Sequence, residues 1–276
     1  VYQVPQSASY NLEDINREVP DTVNAAMQLA EIALREKDFA TSKELTKQVL
    51  MRDAINPEAL SLDGKIKFAE QDFPKAIAAF EKVRGLVPES PQPYYQLALA
   101  HLANRDEAQT ITNLKEGVRL APQFAEAVVM LASIHLRQGD AAEAANLLQR
   151  LVQERPDLTQ ARALLADALR RSGKPDEALR QYQELASVTP RGPRIHVSIG
   201  LILREQRRIP DARQAFATAL ELDPGSIPAV EQLVSLDLVE RDTASARQRI
   251  EALQTQFPDR AEGHVLQAQI AYAEGK

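Results

Sequence analysis

The sequence predicts an all-α solenoid of antiparallel helix pairs, and three observations carry that expectation. Pro88, Pro122, Pro156, Pro190, Pro224 and Pro258 are spaced by 34 residues, with Pro20 in the same phase and Ala54 in the one vacant slot. Setting proline at position 32 gives repeats starting at Val23, Pro57, Pro91, Ala125, Thr159, Pro193 and Ile227, a half repeat from Ala261, and no insertion between them. Within each repeat, apolar residues recur three and four apart in two stretches of about a dozen residues, the signature of two amphipathic helices.

The elements of one repeat follow in order. In the first helix, position 7 reads Leu29, Asp63, Leu97, Leu131, Leu165, Ile199 and Leu233, and position 8 is small or nearly so: Ala30, Gly64, Ala98, Ala132, Ala166, Gly200 and Val234. Gly139 and Gly173 at position 15 suit the end of that helix. Pro175 at position 17, and Pro74 and Pro210 at position 18, suit the first turn of the second helix, where a missing N–H is harmless. In the second helix, position 20 is again small (Ser42, Ala76, Thr110, Ala144, Ala178, Ala212, Ala246), whereas position 24 is mostly large (Thr46, Phe80, Leu114, Leu148, Tyr182, Phe216, Ile250). Small residues at 8 and 20 let two helices approach closely while 7 and 24 fill the space beside them. The proline at 32 stops the second helix.

Composition narrows the function. A chain of 276 residues with 44% apolar and 26% charged residues is neither disordered nor collagenous. The lack of cysteine removes disulfides, thiolate metal sites and thiol nucleophiles. A net charge of -6 argues against a nucleic-acid binder, and no uncharged apolar stretch approaches the eighteen or so residues of a membrane span. The glycines never cluster into a phosphate-cradling loop, and neither a metalloprotease-type His-Glu pattern nor a Gly-flanked serine occurs. No enzyme, cofactor or metal is expected. His101 and His135 at position 11, and His196 and His264 at position 4, read as rings filling packing slots rather than as ligands. Asp176 and Glu177 open a second helix, where negative charge complements the helix dipole.

A 34-residue helical pair with small residues at 8 and 20, large ones at 7 and 24 and proline at 32 resembles the tetratricopeptide repeat (TPR) family. The resemblance runs from Val23 to Lys276, with Asp63 and Lys67 interrupting the second repeat and position 4 mixed where the family often has aromatics. It implies a right-handed TPR superhelix whose first helices line a concave surface through positions 2, 5, 9, 12 and 13. Residues 1–22 then form an N-terminal segment, either the second helix of a preceding repeat or a loose peptide folded over the first repeat. Residues 23–276 form the array, and 261–276 are either a capping helix or half a repeat cut at its turn.

At the inward positions, repeats 2 to 4 offer Phe68, Tyr95, Leu99, Leu102, Val129 and Leu136, and repeats 4 to 6 offer Arg137, Arg170, Arg171 and Arg204. Repeats 5 and 6 are net basic, whereas residues 1–22 carry -3. The expected partner is therefore another protein, held as a peptide or helical segment with apolar and acidic groups. An equal alternative pairs the arginines with Asp167 and Glu205. A recruiting region of a larger enzyme or polysaccharide-export assembly, and a self-association module, are the competing readings. The Ala-, Leu- and Arg-rich repeats faintly resemble bacterial envelope scaffolds, and both cytoplasm and bacterial periplasm or envelope stay open.

Overall fold

A computed structural model describes residues 23–273, and the segment 1–22 lies outside the described residues. Fifteen helices and no strand occur among the described residues. First helices occupy positions 1 to 13 of each repeat: α1 (Val23–Arg35), α3 (Pro57–Ala69), α5 (Pro91–Ala103), α7 (Ala125–Gln138, one residue longer), α9 (Thr159–Arg171), α11 (Pro193–Glu205), α13 (Ile227–Val239) and α15 (Ala261–Ala273). Second helices occupy positions 17 to 30: α2 (Phe39–Arg52), α4 (Phe73–Leu86), α6 (Glu107–Leu120), α8 (Ala141–Glu154), α10 (Pro175–Val188), α12 (Ile209–Leu222) and α14 (Thr243–Gln256). The chain divides into two compact units between Ile134 and His135. In the first unit α1 to α6, and in the second α8 to α15, each helix packs on its predecessor in the chain.

The turn between the two helices of a pair is the same in every repeat. Position 15 takes a positive φ throughout: Gly139 and Gly173, but also Lys37, Gln71, Arg105, Arg207 and Arg241 at 61 to 64°. The amide of position 16 reaches back to the carbonyl of position 11, as in Asp38 N to Ala33 O at 2.8 Å, and that of position 15 to position 12, a Schellman stop. Position 16 then caps the second helix: Asp38, Asp72, Asp106 and Asp242 accept from the amides of Thr41, Lys75, Gln109 and Ser245. Where position 16 is basic, an acid in the first turn pairs with it, Arg208 with Asp211 at 2.7 Å and Lys174 with Glu177 at 3.7 Å.

Contact between the paired helices depends on the small columns. Ala30, Ala98, Ala132 and Ala166 at position 8, and all seven residues at position 20, are buried to 0% exposure. The two glycines at position 8 occur in the two repeats with phenylalanine at position 24. A Cβ on Gly64 would overlap the ring of Phe80, and one on Gly200 would lie 2.5 Å from Phe216 Cε1. Ring volume on one helix is thus matched by a missing methyl on the other. Position 7 is buried wherever it is apolar, whereas Asp63 stays a quarter exposed and pairs with Lys67 at 2.5 Å.

Candidate functional site

In the first compact unit, positions 5, 9 and 12 of α3, α5 and α7 carry an apolar strip. Phe68 is half-buried with its ring 5.5 Å from Phe73, and Tyr95 packs edge-on against Phe124 at 5.1 Å. Leu99 and Val129 are half-buried, and Leu102 keeps 37% of its surface in water. Spacings of four and three residues along α5 place Tyr95, Leu99 and Leu102 on one stripe of that helix. Burial, with the Glu126 carboxylate adding to it, pushes the Tyr95 phenol above its ordinary range, so it remains neutral. Tyr94 turns away and donates its hydroxyl to the Pro88 carbonyl at 3.1 Å.

The second unit differs from the expected groove. Leu136 is only 7% exposed and belongs to the packed interior, so it presents almost no surface to a ligand. Arg170 binds Glu205 at 2.8 Å and Asp167 at 3.1 Å, and Arg171 binds Asp167 at 2.9 Å while pointing an N–H toward the Leu136 carbonyl. Burial disfavours the Arg170 charge, but the two carboxylates outweigh it and hold the guanidinium above its usual range. Arg204 is half-buried and makes no ion pair among the described residues; Arg137 is exposed. Arg170 and Arg171 thus face two carboxylates, and most of the charge of these two arginines is already neutralised.

Two features escaped the reading of the sequence. The first is a cleft of about 450 Å³ between α1, α3 and α5, with Val83 of α4 in its wall and polar lining side chains including Ser61, Gln92 and Gln96. Position 6, which supplies Gln28 and Gln96, was the column that would have signalled it. The second is Asp237, 2% exposed on α13, which receives Arg213 Nη1 from α12 at 2.5 Å and Arg249 Nε from α14 at 2.8 Å. Arg213 also binds Glu240 at 2.8 Å. The basic residues lie 24 positions before and 12 after Asp237, separations that only folding brings together.

His135 is buried and His101 and His196 are half-buried, whereas His264 is exposed on α15 and fills no packing slot. His135 is buried with neither ring nitrogen hydrogen-bonded, and its Nδ1 lies 3.5 Å from Asp140 Oδ2; His101 Nδ1 is 3.8 Å from Asp106. Among the described residues no group of three or more histidine and carboxylate side chains converges as a metal site would require.

Comparison with known proteins agrees with this architecture. Family models described as Tetratricopeptide repeat match residues 163–227 and 203–270, and one described as Bacterial transcriptional activator domain matches residues 97–191. No curated protein matches. Among solved structures, the C-terminal part of a TPR repeat-containing protein from Cytophaga hutchinsonii aligns over 87% of this chain and 98% of its own, at 11% identity and a TM-score of 0.72. YrrB, described as a TPR protein with an unusual peptide-binding site, aligns over 68% of this chain and 96% of its own, at 16% identity and a TM-score of 0.61. MamA aligns over 58% and 94%, at 27% identity and a TM-score of 0.53. The 34-residue period, the recurrent turn and these matches agree: the described helices form a tetratricopeptide repeat array, and residues 163–270 match the models of that repeat.

Proposed function

We propose that the protein is a non-catalytic interaction scaffold that holds a peptide segment of another protein on the inward positions of its first helices. The observation that carries this reading is the apolar strip of Phe68, Tyr95, Leu99, Leu102 and Val129, which packing within the first unit leaves partly open to water. The description of YrrB as peptide-binding supports the same use of the fold. Arg170 and Arg171 have a secondary role, because an acidic ligand would compete with Asp167 and Glu205 for them.

The test compares proteins captured by the intact chain with those captured by a Leu102→Glu variant. Leu102 is exposed at the end of α5, so the variant should keep its helical circular dichroism and melting temperature while the captured partner is lost, because a charge replaces apolar contact area. Equal capture by both proteins would refute the reading. Reversing Arg170 and Arg171 to Glu should weaken capture less than Leu102→Glu does, and that smaller contribution should disappear at high salt.

A further inference from the structure

We propose that the cleft between α1, α3 and α5 binds the main chain of an extended peptide segment that is uncharged or basic, not acidic. The inference rests on the scaffold reading above and names the class of segment taken by one part of its surface. Gln96 is 6% exposed, and its one partner among the described residues is the Ser61 hydroxyl, at 2.9 and 3.2 Å. A carboxamide offers two N–H groups and two acceptor lone pairs, so a single hydroxyl leaves one of each unused. Burying that capacity is unfavourable, and packing alone does not require it: the same position holds Leu62, Met130 and Leu164 in other repeats. Gln28 and Gln92 add two further amides to the cleft wall. Side-chain amides match the alternating N–H and C=O groups of an extended main chain.

Charge selects among such segments. Lys65 is paired with Glu31 at 3.5 Å, and Glu58 is exposed in the same cleft, whose walls hold no other cation. An acidic segment would meet uncompensated negative charge, whereas a lysine or arginine would find Glu58. Met27 and Val83, both under 10% exposed, give the wall an apolar part for one side chain of the ligand.

The experiment titrates the full chain with three capped hexapeptides: alternating leucine and lysine, alternating leucine and glutamate, and the lysine peptide with alternate backbone amides replaced by esters. The lysine peptide should bind about tenfold more tightly than the glutamate peptide, and the ester analogue should lose about fivefold through its missing donors. Gln96→Leu, which copies the residue found at this position in repeat 2, should weaken the amide peptide about fivefold and the ester analogue by less, because the analogue keeps only its carbonyl contact to Gln96. Glu58→Lys, a surface change, should invert the preference between lysine and glutamate peptides. Equal binding of amide and ester peptides, an unaltered preference in Glu58→Lys, or tighter binding of the glutamate peptide would overturn the proposal. Leu102→Glu should leave hexapeptide binding intact, so failure of the apolar strip and failure of this cleft are told apart.

Discussion

Position 15 shows what a single residue contributes in this array. The turn demands a left-handed conformation that costs a residue with a Cβ about 1 kcal/mol or more, yet five of the seven turns place a long polar side chain there. A Cβ on Gly173 would meet nothing within 4 Å, so the cost of Gly173→Ala is set by the backbone alone. Urea denaturation should show Gly173→Ala destabilised by about 1 kcal/mol. Arg105→Gly should be stabilised by somewhat less than about 1 kcal/mol, because glycine's freedom in the unfolded chain offsets part of the relief. The cap residues respond to acid. Hydrogen bonds from Thr41, Lys75 and Ser245 hold the Asp38, Asp72 and Asp242 carboxyls below their ordinary range. A folded-state pKa below the unfolded value stabilises the fold above about pH 3.9, and this is lost as pH falls through the folded value. Asp72→Asn keeps a cap acceptor without titrating, so the decline in stability below about pH 4 should be shallower in that variant.

At the scale of the helix pair, matched volumes decide stability. Gly64→Ala should cost about 1–3 kcal/mol by driving a methyl into Phe80, and Phe80→Leu in the same chain should recover much of that loss. A double-mutant cycle in denaturant measures the coupling, and additive costs would mean that the helices yield instead of clashing. The junction of α12, α13 and α14 depends on charge instead. Asp237→Ala leaves two guanidinium groups facing one another without their shared carboxylate. The loss should lie at or below the low end of about 3–5 kcal/mol, since Arg213 and Arg249 keep part of their surface in water. Converting Asp237, Arg213 and Arg249 together to apolar residues should restore most of it, because the pair is worth little against well-packed hydrocarbon.

For the molecule as a whole, contacts between neighbours in the chain make stability local. Overpacking at Ala76, buried to 0% exposure on α4, should lower amide hydrogen-exchange protection in α3 to α5 before it affects α13 and α14. Simultaneous loss of protection in all helices would instead mean that the array unfolds as one cooperative body.

The amino-acid sequence alone determined the helix-pair period, the start of each helix and the small columns that let the helices meet, because these depend on local spacing and on proline chemistry. Pro175 at the start of α10 and the buried Ala178 at position 20 are legible without coordinates for that reason. Inward positions could be named from the family pattern, but their character depended on the tertiary structure. Leu136 is buried, and Arg170 and Arg171 are occupied by Asp167 and Glu205, facts set partly by residues about 34 positions away. The cleft around Gln96 and the carboxylate of Asp237 appear only in the folded chain, since exposure and ion pairing follow from distances in space that a periodic sequence leaves unspecified.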